Sequence, residues 1–219
     1  VDDASNPKVG NSELAASVVP AELVRHHRNR GVGAAILTGY LKALDSGADV
    51  AAVMAADGQM DPGELAAVLD PILLGQADYV KGNRLSHPDC PSAMPRVRRL
   101  GNYCLTWMTR LTTGLPGLMD SQCGYTALRL SALSRVPLQW VYPRYGFPND
   151  FLAAAAGGGL RIAETVVTPL YRGEPSGIRP ATATLLYPLI LARSLLVRFL
   201  SASPGALEDV VRYERQEAG

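Results

Sequence analysis

The run Asp49-Val50-Ala51-Ala52-Val53-Met54-Ala55-Ala56-Asp57-Gly58-Gln59-Met60-Asp61-Pro62-Gly63-Glu64 decides the fold. Asp49 to Ala55 is short, apolar and rich in Val and Ala, with no polar alternation. That is the pattern of a strand buried on both faces of a parallel sheet. The apolar run ends at Ala56-Asp57-Gly58-Gln59. Asp61-Pro62-Gly63-Glu64 then opens a helix, with Asp61 as N-cap, Pro62 at the first helical position and Glu64 three residues after the cap. A buried strand, a polar loop and a capped helix follow one another directly. Asp57 and Gln59 therefore lie at the carboxyl end of a strand, where open α/β sheets bind their ligands.

The same grammar extends in both directions. Upstream, Gly33 to Ser46 reads as a helix with an apolar stripe of Ala34, Ile36, Leu37, Tyr40, Leu41 and Leu44. Before it, Glu22 to His26 reads as a strand, Ser12 to Val19 as a short helix, and Val1 to Pro7 as the last residue of a strand entering a polar loop. Downstream come a strand at Ala77 to Lys81, a Pro-rich basic loop at Leu85 to Arg96 and a helix at Val97 to Thr112. Strands at Gly124 to Leu130 and Arg161 to Pro169 follow, separated by a loop around Tyr142 to Asp150 and an Ala-rich helix. Alternating strands and helices predict a mostly parallel sheet with helices on both faces.

Composition removes several classes of function. The 219 residues are 47% hydrophobic, enough for one domain with a sizeable core. Lys+Arg 21 against Asp+Glu 20 leaves a formal net charge of +1, so no global field exists to hold a nucleic-acid backbone. Three cysteines match no zinc spacing and read as free thiols of a reducing compartment. The uncharged stretch from Pro180 to Ala192 is shorter than the roughly 20 apolar residues of a membrane-spanning helix. The chain opens on Val and carries no signal peptide, so a missing N-terminal strand is expected.

Three predicted strand ends carry Asp2 and Asp3, then Asp57 and Gln59, then Lys81, Asn83 and Arg84. Any one such acid alone is most simply a helix cap or a loop solvator. Together, hard oxygens and cations suit a metal-bound diphosphate. Asn29-Arg30-Gly31-Val32-Gly33-Ala34-Ala35 lacks the third glycine and the preceding strand of a dinucleotide fingerprint, so it reads as a tight loop feeding a close-packed helix. His26, His27 and His87 have no metal-ligand partners at suitable spacing.

Taken in order, Val1-Asp2-Asp3-Ala4-Ser5, the Asn29 to Ala35 loop, Met54 to Pro62, Gly82-Asn83-Arg84, Asp120-Ser121-Gln122-Cys123-Gly124-Tyr125 and Asn149-Asp150 resemble family 2 glycosyltransferases. The resemblance covers roughly Val1 to Arg179 and is nearest to the dolichol-phosphate (polyprenol-phosphate) mannosyltransferase branch. It implies the GT-A fold, a Rossmann-like sheet, in residues 1–180; the residue pattern itself gives an amphipathic helical segment at 181–219. It implies nucleotide and donor contacts at Asp2, Asp3, Asp57, Gln59 and Arg84, and Mg²⁺ or Mn²⁺ held by Asp57 and Gln59. Arg98, Asn102 and Gln122 fall at acceptor positions, and Asp57, Arg84 and Asp150 at catalytic ones, Asp150 facing the sugar or acceptor. Ala55 departs from the family's first metal-binding acid, leaving Asp57 with Gln59, and Asp61 as a further carboxylate.

The implied activity is inverting transfer of a hexose from a nucleotide diphosphate sugar to a polyprenyl phosphate. A hydroxyl-acceptor glycosyltransferase, a nucleotidyltransferase and a non-catalytic binding relative are the alternatives. In the C-terminal segment Leu185, Leu186, Leu189, Ile190, Leu196, Val197, Phe199 and Leu200 alternate with Arg193 and Arg198. They suit either a helix covering the domain or a dimer contact, or a membrane-surface contact through residues 181–202. The corresponding location is cytoplasmic, peripheral at the inner face of the membrane.

Overall fold

A computed structural model describes residues 1–8, 10, 20–144, 146–171, 189 and 191–198. The expected helix at Ser12 to Val19 and most of the segment after Tyr171 lie outside the described residues.

Helix α1 (Val32–Asp45) leads into β1 (Val50–Val53). A 3₁₀ turn (Pro62–Glu64) then opens α2 (Leu65–Leu73), and β2 (Tyr79–Asn83) follows. The basic loop contains a single helical turn, α3 (Cys90–Ala93), before α4 (Arg96–Thr113). β3 (Thr126–Arg129), two 3₁₀ turns, α5 (Phe147–Gly157) and β4 (Ile162–Val166) complete the sheet and its cover.

The sheet order is β1-β3-β2-β4. β2 and β4 pair in parallel, with Tyr79 opposite Ile162 and Asn83 opposite Val166. β3 runs against both of its neighbours, placing Thr126 opposite Val53 of β1 and Lys81 of β2. Three of the four strands thus run one way, and their carboxyl ends share one edge with the amino end of β3. That edge gathers the loops at Asp57, Arg84 and Asp120. The predicted strand at Glu22 to His26 is reduced to one parallel bridge, Arg25 to Asp2.

One face of the sheet packs on α5, where Phe151 is fully buried with its ring 5.2 Å from Tyr79 and 5.4 Å from Phe147. The other face packs on α2 through Val68 and Ile72, with Val80, Ala127 and Tyr125. Asp61 caps as the sequence predicts, its Oδ1 accepting the Gly63 N–H at 2.8 Å. Glu64 does not close the capping box. Its carboxylate instead takes the Thr168 N–H and hydroxyl at 2.9 and 2.7 Å, tying α2 to the segment after β4.

Helix α4 is inverted relative to the usual amphipathic helix. It buries Asn102, Thr106, Thr109 and Thr113 and leaves Val97, Leu100, Trp107 and Leu111 exposed. The buried polar side has specific partners. The Thr106 Oγ1 accepts the Ser121 N–H at 3.0 Å, and the Thr109 hydroxyl donates to Asn149 Oδ1 at 3.1 Å. Helical residues 191–198 bury Leu191, Ser194 and Val197 against the body and expose Leu195 and Leu196.

Candidate active site

Asp2 and Asp3, adjacent in sequence, have separate tasks. Asp2 is buried: its Oδ1 accepts the Ser5 N–H and its Oδ2 an Arg25 N–H, each at 2.9 Å. Ser5 and then Arg25 hold its carboxyl down at about 2. With both oxygens occupied, Asp2 fixes the two chain segments to each other rather than presenting a free oxygen to a nucleotide.

Asp3 holds the glycine loop. Its oxygens accept the Arg30 N–H at 2.8 Å and the Gly31 N–H at 2.7 Å, and His26 Nδ1 lies 2.7 Å away. Burial pushes the Asp3 carboxyl up, but these donors outweigh it and the net direction is down. Gly31 adopts φ 101°, and a Cβ there would come within 2.6 Å of the Pro143 carbonyl oxygen, so loop and neighbour meet with no room for a side chain. The loop is what the sequence predicted, a tight entry into α1.

Asp3, Asn29, Gly31 and Arg144 border a cavity of about 1040 Å³ that reaches Ala55 and Ala56 at the end of β1. Beside it Asp57 is exposed, its Oδ1 accepting the Gln59 N–H at 3.0 Å. Its other oxygen has no partner among the described residues. No cluster of three or more His, Cys, Asp or Glu side chains able to hold a metal ion occurs among the described residues. A single open carboxylate still fits a magnesium or manganese ion, because such ions are commonly bound by one or two carboxylates and completed by substrate phosphates and water. Asp61, also exposed, gives one oxygen to its cap and, like Asp57, keeps the other without a partner among the described residues.

Arg84 lies at the same edge, but its guanidinium is not open. Its Nε and Nη2 donate to the two oxygens of Asp120 at 2.9 and 3.1 Å, its backbone N–H donates to the same carboxylate at 3.1 Å, and Nη1 donates to Tyr171 at 3.2 Å. Burial works against the Arg84 charge, yet Asp120 outweighs it and raises the Arg84 pKa, while Arg84 in turn keeps the buried Asp120 carboxyl low. Lys81, fully buried below them, bonds to the Cys123 carbonyl, and burial pushes its ammonium down. Glu164 receives the Met119 and Asp120 N–H groups at 2.7 and 2.8 Å, and burial pushes its carboxyl up.

The start of α4 brings the acceptor candidates to this group. Arg98 lies 4.5 Å above the ring of Tyr171, the residue that Arg84 also contacts. Arg99 Nη1 is buried without a hydrogen-bond partner among the described residues. Asn102 is buried beside Met94 Sδ at 3.6 Å. Gln122 Nε2 donates to the Ser121 hydroxyl oxygen at 2.8 Å and to Asn149 Oδ1 at 3.3 Å, joining the α4 seam to α5.

Asp150, which the resemblance places toward sugar or acceptor, has no exposed surface, and both its oxygens have partners within the protein. Arg193 Nε donates to Oδ2 at 2.8 Å, the Ser194 hydroxyl to Oδ1 at 2.6 Å and the Tyr142 N–H to Oδ2 at 3.1 Å. It anchors residues 191–198 to α5. Sequence reading also missed Tyr171 and the role of Asp120, since neither lies in a periodic pattern that points at a partner.

The profile of glycosyl transferase family 2 matches residues 1–136. The chain belongs to glycosyl transferase family 2. A UDP-N-acetylglucosamine–dolichyl-phosphate N-acetylglucosaminyltransferase of Methanococcus voltae is 36% identical over 148 residues, 68% of this chain and 59% of the relative. An undecaprenyl-phosphate mannosyltransferase of Micrococcus luteus is 31% identical over 171 residues, 77% of this chain and 69% of the relative. Among solved structures, glucosyl-3-phosphoglycerate synthase of Mycobacterium tuberculosis with Mn²⁺, UDP-glucose and phosphoglyceric acid superposes with a TM-score of 0.52 at 18% identity. That alignment covers 89% of this family member and 60% of the synthase chain, and it shows the shared GT-A fold. The chain thus spans about 59% of the Methanococcus voltae relative's length.

Proposed function

We propose that the protein transfers a hexose from a nucleotide diphosphate sugar to a polyprenyl phosphate, with inversion at the anomeric carbon. The observation that carries this reading is an open carboxylate just after β1 together with, at the start of α4, a buried arginine nitrogen that no described residue satisfies. Asp57 offers the free oxygen and Arg99 the unpartnered Nη1, with Arg98 beside it on Tyr171. Both relatives named above carry polyprenyl-phosphate acceptors in their names.

In this reading the donor occupies the cavity between Asp3 and Ala55. Asp57 and Gln59 would hold a Mg²⁺ or Mn²⁺ ion, which neutralises charge on the diphosphate as it leaves. A glycosyltransferase-fold neighbour holds Mn²⁺ together with UDP-glucose. An acceptor phosphate oxygen attacks the anomeric carbon from the face opposite the leaving group. The new C–O bond forms as the sugar–diphosphate bond breaks, and the electron pair departs on the diphosphate oxygen. The acceptor is already ionised near neutral pH, so no general base is required. This agrees with an Asp150 whose oxygens are both committed.

Arg84, its charge balanced by Asp120, positions the edge, leaving Arg98 and Arg99 to take the acceptor phosphate through charge-assisted hydrogen bonds. Steady-state kinetics of Arg98→Ala and Arg99→Ala test the assignment. The Michaelis constant for polyprenyl phosphate is expected to rise at least about tenfold, the scale of one lost charge-assisted bond, while slow hydrolysis of the donor by water persists. Unchanged acceptor kinetics in both variants would remove the phosphate from this end of α4.

A further inference from the structure

The outward face of α4 has no function in the reading above. Val97 is 86% exposed, Leu100 72%, Trp107 59% and Leu111 61%. With exposed Cys104 between them, they recur at alternating spacings of three and four residues and form one continuous apolar stripe. At ~1.5 Å per residue the 18-residue helix presents a stripe on the order of 25 Å long. The polar side, which would ordinarily face water, is spent on the buried seam with Ser121 and Asn149.

The charges on α4 are all of one sign. It carries Arg96, Arg98, Arg99 and Arg110 and no acid. Leu189 and residues 191–198 extend the surface, because Arg198 lies against Gly114 at the end of α4 and Leu189, Leu195 and Leu196 are exposed. No helix among the described residues is long and apolar enough to cross a membrane.

We propose that α4 is a membrane-docking helix. Its apolar stripe enters the boundary between headgroups and acyl chains of an anionic bilayer, with the exposed Arg96 at the headgroups. Charge complementarity selects this occupant over a second copy of the chain. A two-fold contact sets one patch against itself, and on α4 that would oppose arginines with no acid on the helix to pair with them. The docking claim stands without the proposed reaction. Its consequence, that a lipid phosphate in the bilayer arrives at Arg98 and Arg99, rests on that reading.

The test uses the full chain and no nucleotide sugar, so its failure leaves the transferase reading untouched and the reverse also holds. Trp107 and Trp140 are the two tryptophans; the Trp140→Phe protein therefore reports on α4 alone. Added vesicles of mixed phosphatidylcholine and phosphatidylglycerol should shift Trp107 emission to the blue, brominated acyl chains should quench it, and salt should weaken both effects. Leu100→Glu and Leu111→Glu, each with an unchanged thermal melt, should lower co-sedimentation with these vesicles at least about tenfold, the scale of a buried leucine lost. Three results would overturn the proposal: equal or absent binding to anionic and neutral vesicles, a Trp107 emission already blue without lipid, or concentration-dependent dimers that Leu100→Glu abolishes.

Discussion

Asp57 and its neighbour Ala55 set the chemistry of the donor end. With Ala55 unable to coordinate, the proposed cation falls to Asp57, with Asp61 as the further exposed carboxylate of the loop, and Asp57→Asn should lower metal-dependent turnover at least about 10²-fold, the scale of a lost electrostatic stabiliser. Ala55→Asp should tighten Mn²⁺ binding, read by titration calorimetry. Asp2 gives a pH prediction. Its folded-state pKa of about 2 lies below the usual 3.8, so its contribution to stability is present above the usual value and is lost as the pH falls through about 2. Acid unfolding of Asp2→Asn should therefore begin from a lower stability and lack part of the decline between those values. The sequence made the acids legible but not their roles. Asp2 and Asp3 sit side by side, yet Arg25, Arg30 and Gly31, all more than twenty residues away, decide which carboxylate does what.

At the level of elements, close packing around α5 and α1 yields the most direct stability test. A Cβ at Gly33 would lie 2.5 Å from a Phe147 ring carbon, so Gly33→Ala forces the two helices apart and should cost about 1–3 kcal/mol in a denaturant titration. The Arg84–Asp120 pair ties the β2 loop to the segment before β3. Asp120→Ala leaves the 12%-exposed Arg84 side chain without its counter-ion, a change worth about 3–5 kcal/mol of destabilisation. Elements with strong local signals were readable in their limits: α1, β1, the Asp61 cap and α4 fall within a few residues of the predicted bounds, but β1, read as buried on both faces of a parallel sheet, is a half-exposed edge strand paired antiparallel with β3. The direction of β3 was not, because strand direction is set by the crossover path rather than by residue pattern. Nor did periodicity show which side of α4 faces in. The bonds from Thr106 and Thr109 to Ser121 and Asn149 turn its polar side inward and its apolar stripe outward.

Across the whole molecule, the sheet edge, the glycine loop and the start of α4 assemble pieces that are far apart in sequence, and the family follows from their order along the chain. The sugar and nucleotide are not written in that order; in the proposed reading they depend on the shape of the cavity bordered by Asp3, Asn29 and Ala55. Residues 191–198, latched to Asp150 through Arg193 and Ser194, link the α5 side of the domain to the exposed apolar surface. Breaking that latch by Ser194→Ala should loosen the helix without touching the donor loop, measured as faster amide exchange confined to residues 191–198. The measurement that bears most directly on the central claim is transfer itself: the protein with Mn²⁺, radiolabelled nucleotide diphosphate sugars and polyprenyl phosphate, followed by extraction into organic solvent. The account predicts metal-dependent label in the lipid phase, released by mild acid as the free sugar and abolished in Asp57→Asn. Label that reaches hydroxyl acceptors but never the lipid phosphate would contradict it.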